Sequence, residues 1–288
     1  MIMRNISLSP KMQWLVSILV AGGMVSLFSD TAIVFGIIVF GQVHFLLAYF
    51  YTNVQQKIDR SYLCRFLGCL LGVGFLAVGT YLYPIYFPWL ILLTGTIFAA
   101  HYTADFLKLS GFRGAVPPLI GIGGLASIFM AAFLARLFPT LTVLTLAVFF
   151  VGISAVSYFL FKNRFLLRGT HSFFFVFYGL HAGIAGWLTW NAIHAISINQ
   201  ILGMIIFAHY VHWYLYSLVR YQEKLGFYLD TLLWGHLLVF AAFLLYVLAP
   251  HSGLPLFFFH PAFFYGWTLI HIFMTVRVAD YTFTPIRA

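Results

Sequence analysis

The 288-residue chain is 63% hydrophobic and only 7% charged, where a soluble domain carries about 25% charge. Such an alphabet cannot make a water-soluble surface, so a soluble globular protein is excluded. The net charge of +9 comes from 15 Lys and Arg scattered in ones, twos and threes between apolar runs. That pattern does not build a nucleic-acid surface, and it points to a membrane topology signal instead.

About 20 apolar residues cross a bilayer, and runs of that kind, bounded by charge, Pro or polar clusters, occur ten times. In chain order they cover 12–29, 31–52, 66–83, 85–107, 114–135, 139–161, 171–190, 196–219, 227–249 and 257–278. The first run follows Arg4 and Lys11 without a small-residue cleavage site, so it reads as a span and not a removable leader. A tight turn at Ser29-Asp30 joins the first two spans, and the third and fourth meet near Pro84. Every connection is short. The expected fold is therefore an all-α polytopic helix bundle forming a single transmembrane domain over 1–288.

Fourteen of the fifteen basic residues fall in the tail before span one, after even-numbered spans, or at the end of the chain; Arg136 alone falls on the other side. The positive-inside rule then places both termini in the cytoplasm, and suggests a bacterial inner (cytoplasmic) membrane. Cys64 and Cys69 lie five apart near one helix start and read as reduced packing residues.

With direction fixed, each histidine has a depth. His44, His101, His209, His212, His236 and His271 lie within about three helical turns of the cytoplasmic end of their spans. His181 sits slightly deeper, His171 at the inner boundary, and His194, His251 and His260 at the outer face. A lone intramembrane histidine often serves only as an interhelical hydrogen-bonding group. Seven at one depth are harder to explain so, because ionisable residues are costly in a bilayer and usually mark function. Neutral imidazole is a ligand for Fe, Cu, Zn or Ni. His209 and His212, spaced i, i+3, share one helix face and can share one metal.

The carboxylates narrow the chemistry. Glu223 is the sole glutamate and lies in a loop, and of the aspartates only Asp105 is near the histidine layer. A carboxylate-bridged di-iron centre needs several acids, so an all-histidine site fits better, although two histidines with Asp105 also remain open. Asp105 follows His101 by four residues and can hold its imidazole through the second nitrogen. There is no nucleotide loop, no Gly-x-Ser-x-Gly elbow and no Cys-x-x-Cys pair. His181 and His194 have a haem-stacking separation, but no matching pair stands on a second helix.

An early histidine, then His101-Tyr-Thr-Ala-Asp105, then the close pair His209-Tyr-Val-His212 resembles the Brp/Blh-type β-carotene 15,15′-dioxygenases. Around His44 the chain reads His44-Phe45-Leu46-Leu47, without the Gly and acid of that family's first motif. The resemblance implies a polytopic enzyme in which His44, His101, His209 and His212 hold a non-haem Fe(II). Asp105, His181, His236 and His271 would be additional or supporting groups. It further implies dioxygen and a hydrophobic small molecule as reactants, with carotenoid cleavage to retinal-like aldehydes as the reaction. The residues alone leave open a haem- or quinone-binding electron-transfer protein, and a metal or proton transporter or assembly factor.

Overall fold

The computed structural model describes residues 9–55, 60–109, 112, 116–164, 172–191, 197–220, 222–250 and 253–275. His171, His194 and His251, Arg4 and Arg277, and the ends of several predicted spans lie outside them. The described residues form helices joined by short turns, in the order α1 Pro10–Leu27, α2 Asp30–Gln55, α3 Arg60–Leu82, α4 Phe87–Leu109, α5 Pro118–Leu137 and α6 Thr142–Lys162. They continue with α7 Phe173–Asn191, α8 Ile198–Arg220, α9 Leu225–Leu248, α10 Gly253–Phe259 and α11 Pro261–Thr275. Among these residues, nine helices are long and apolar enough to span a membrane, or ten when the bent pair α10 and α11 counts as one. The chain is an all-α polytopic helix bundle, as its hydropathy pattern predicts.

The helix ends follow local chemistry. Pro10 starts α1 behind Ser9, whose hydroxyl accepts the Met12 amide at 3.3 Å, and Pro118 and Pro261 likewise stand in the first turns of α5 and α11. Within the helices, Ser17, Thr103, Thr189 and Thr268 donate their hydroxyls to the carbonyl four residues back. That disposes of a polar group where no water can serve it. Large apolar side chains such as Leu71, Phe75, Val143 and Leu248 are at least three-quarters exposed, a surface that suits lipid.

Two compact units divide the chain, one of residues 1–90 and 203–274, the other of 91–202 and 275–288. In the first unit α2 packs on α9, and α10 packs on both. Phe35 of α2 meets Phe243 of α9 edge-on, with ring centroids 4.1 Å apart. In the second unit α5 packs on α6 and α7. The α5–α6 crossing is close because Gly152 lacks a side chain: a Cβ there would lie 2.8 Å from the Gly124 carbonyl oxygen and 2.7 Å from Ile128. Small residues at such a crossing let helix backbones approach in a membrane.

The tenth predicted span is not one straight helix. α10 and α11 meet at a 64° bend around His260-Pro261. Proline cannot donate a backbone hydrogen bond and clashes with the preceding turn, so the helix breaks there. The carbonyls released by the break are taken up by side chains: Gln42 of α2 donates to Phe258, and the Trp267 indole donates to Phe257 at 2.8 Å. Gln42→Leu removes the first donor from the Phe258 carbonyl, in a part-buried hydrogen bond. A cost of about 1 kcal/mol is expected, seen as a lower melting temperature in detergent than for Gln42→Glu in its protonated, donor-retaining state at low pH.

Candidate metal centre

In the first unit, three histidines from three helices converge. His44 of α2 is 1% exposed, and its ring centroid lies 5.1 Å from that of His209 on α8 and 4.9 Å from that of His271 on α11. His209 and His271 are equally buried. Tyr210 and Trp213 of α8 pack on His44 at 5.1 and 4.7 Å, and Phe45 stacks on His271 at 4.8 Å. Phe45 also stacks on Phe264, two turns of α11 nearer its start. The three imidazoles thus sit in a sleeve of aromatic rings.

Gly41 makes this approach possible. A Cβ at Gly41 would lie 2.5 Å from the Tyr210 hydroxyl and 2.7 Å from the Phe264 ring. Any side chain here, one turn before His44, would push α2 away from both α8 and α11. Nothing in composition or hydropathy marks this glycine; its spacing of three from His44 was the available signal.

The ring separations can be set against coordination geometry. An imidazole bound through one nitrogen at about 2.1 Å has its centroid about 3.2 Å from the ion, so two such rings at tetrahedral or octahedral angles have centroids roughly 4.5–5.2 Å apart. The His44–His209 and His44–His271 centroids stand 5.1 and 4.9 Å apart, which is ring contact, while the ligand nitrogens of the three histidines do not all lie within 4.8 Å of one another. The donors are neutral imidazoles. Among the described side chains of this unit the carboxylates are Asp30 and Asp230, both exposed, which fits an all-histidine set better than a carboxylate-bridged one.

His212, one turn along α8 from His209, is as deeply buried at 3% exposure. It is not among the rings in contact with His44, whereas His271, which the sequence places only as an additional or supporting group, is. His236 of α9 is half-buried with its Nδ1 2.8 Å from the Leu232 carbonyl. A carbonyl only accepts, so Nδ1 carries the proton and Nε2 keeps its lone pair. The His236 ring packs against Phe40 at 6.0 Å and Tyr214 at 5.9 Å. His260, assigned to the outer face from the sequence, stands at the α10–α11 bend with its ring edge-on to Tyr81 at 4.9 Å.

The second unit holds the other predicted residues. His101 and Asp105, one turn apart on α4, form a pair with Nε2 and Oδ2 3.4 Å apart; the histidine is buried and the aspartate about 29% exposed. This is the carboxylate–imidazole pairing that orients a ring. His181 of α7 is 1% exposed, and its Nδ1 donates to the Phe177 carbonyl at 2.8 Å. It packs on Phe177 at 4.3 Å and on Tyr102 at 5.4 Å.

Fold and composition together define an integral, multi-pass membrane protein with buried histidines. No protein-family model, curated protein or solved structure matches the chain.

The tight contact at Gly41 yields a prediction. Gly41→Val is expected to destabilise by about 1–3 kcal/mol through overpacking and to lower the melting temperature in detergent. Gly68→Val, at a position where an added Cβ meets nothing within 4 Å, is expected to leave it unchanged. Equal melting temperatures for the two variants would refute the close α2–α8–α11 approach.

Proposed function

We propose that this protein is a membrane-embedded, histidine-ligated non-haem iron oxygenase acting on a lipid-soluble substrate. The observation that carries the reading is the packing of the buried His44 ring, from its own helix, against His209 and His271 from two others. Three imidazoles buried together cost desolvation that three phenylalanines would not, and a shared ion gives their lone pairs a use. Iron suits an imidazole set in apolar surroundings, and when bound it would supply activation of dioxygen.

The chain's own residues do the rest of the work. Gly41 brings α2 close enough for His44 to face both neighbours, Phe45 fixes the plane of His271 by stacking, and Trp213 and Tyr210 limit how far the His44 ring can turn. The aromatic sleeve keeps water from the centre, so a hydrocarbon competes there against nothing more polar than itself. In this reading His212 keeps the ligand role implied by the family resemblance, and within the second unit Asp105 orients His101. On the same resemblance the finer substrate is a carotenoid, cleaved with dioxygen to retinal-like aldehydes.

Elemental analysis with an absorption spectrum, on detergent-purified protein, tests the proposal. Expected are about one iron per chain and no Soret band. His44→Ala, His209→Ala and His271→Ala should each lower iron about tenfold or more, while His181→Ala retains it. Parallel iron measurements on His212→Ala and His101→Ala decide whether those imidazoles join the ligand set. Full iron content in all three of the first variants would overturn the assignment, and a haem spectrum would replace it with an electron carrier. If iron is confirmed, expression in a β-carotene-producing host should bleach the carotenoid and accumulate retinal, and loss of that activity without dioxygen is expected.

A further inference from the structure

In the second unit, the last turns of α6 carry polar groups on an exposed face. Ser154, Tyr158 and Lys162 stand four apart, as do Ser157 and Phe161, so two neighbouring rows run along the helix. All five side chains are exposed. Lys162 closes its row with Nζ 5.7 Å from the centre of the Tyr158 ring. Arg164, just beyond the helix, lies over Phe161 with Cζ 4.4 Å from the ring centre. Each row reads hydroxyl, ring, cation toward the helix end.

The two cations are held in a particular place. A basic side chain at the end of a span ordinarily stretches outward to water. Here both charges turn back over rings one turn nearer the middle of the span, where cation–π attraction holds them. The helix end does not claim them, because the buried Asn163 donates its Nδ2 to the Phe159 carbonyl at 2.8 Å. Nor does an acid: among the described residues of this unit the one carboxylate is Asp105, which pairs with His101. The next residues in sequence, 165–171, add Arg168 and no acid.

The hydroxyls are a separate observation. Elsewhere in this unit Thr103, Ser127 and Thr189 donate to the carbonyl four residues back, the usual recourse of a hydroxyl in hydrocarbon. Ser154 and Ser157 make no such bond, and no other described group receives them. Ser154 stands eight residues from Lys162, about 12 Å along the helix. A phospholipid offers acceptors in the matching order: a phosphate at the interface, then ester carbonyls deeper, beside its chains.

We propose that this face of α6 binds the head of an anionic diacyl phospholipid, its phosphate at Lys162 and Arg164 and its glycerol esters at Ser157 and Ser154. A net negative head suits the pair of cations, whereas a choline head would bring a further positive charge beside them. The site is independent of the oxygenase reading, and its test needs neither iron nor activity.

The test is titration of the detergent-purified full chain with dioleoylphosphatidylglycerol, read by native mass spectrometry of the lipid-bound protein. Dioleoylphosphatidylcholine should bind more weakly, and glycerol phosphate should not compete. Lys162→Ala with Arg164→Ala should weaken phosphatidylglycerol binding about 30-fold. Lys11→Ala with Arg65→Ala removes equal charge from exposed positions on the same side of the membrane and should leave binding unchanged. Ser154→Ala with Ser157→Ala should weaken it about tenfold. An ether-linked phosphatidylglycerol, which has no ester carbonyls, should be indifferent to that serine change. Every substituted position is exposed, so no variant depends on repacking the interior. Equal binding of the choline lipid, or an equal loss in the Lys11 and Arg65 variant, would mean a diffuse charge effect and overturn the site. Competition by glycerol phosphate as strong as that by the lipid would make it a soluble-phosphate site and overturn it too. Full affinity of the serine variant for the ester lipid would overturn the placement of the glycerol.

Discussion

Hydrocarbon offers no hydrogen bonds, and most of this structure can be understood as a response to that. Each buried polar group has to find its partner inside the protein or be paid for by function. Hydroxyls fold back onto carbonyls one turn away, His181 and His236 tie one nitrogen to the helix that carries them, and Gln42 and Trp267 cap the carbonyls that Pro261 releases. Against that background a cluster of three imidazoles on separate helices is conspicuous.

Close approach is the second theme, and glycine supplies it in two ways. At Gly152 it lets two helix backbones cross for packing alone. At Gly41 it lets α2 reach two helices at once, with Tyr210 and Phe264 filling the space where a side chain would be. The same helix carries Gly36 against the Phe207 ring of α8 and His44 against His209, so one strip of α2 packs on α8 over successive turns.

Much of the architecture was legible in the chain because membrane spans are written in composition: length, apolarity and flanking charge sufficed to locate nearly every helix within a few residues. The bend at His260 was less legible. Pro261 was visible, but apolar residues run on through it, and hydropathy does not register a break that side chains from elsewhere repair. Likewise the i, i+3 spacing of His209 and His212 could be read within one helix, whereas the meeting of His44 with His271 depends on how three helices pack. Sequence spacing carries no information on that, which is why His271 was ranked below His212. The carboxylate beside His101 was legible, because its geometry is set by a single turn of α4.

The bend has a mechanical consequence. α2 and α8 carry their histidines on uninterrupted helices, but His271 rides on a segment that begins at a break. It lies ten residues from Pro261, about 15 Å along the axis. With such a lever, a pivot of a few degrees at the bend carries the His271 ring by about 1 Å, while His44 and His209 stay in place. The hydrogen bonds from Gln42 and Trp267 are what resist that pivot. Precision at the centre is therefore held in part at the start of α11, by two hydrogen bonds made to the carbonyls of α10.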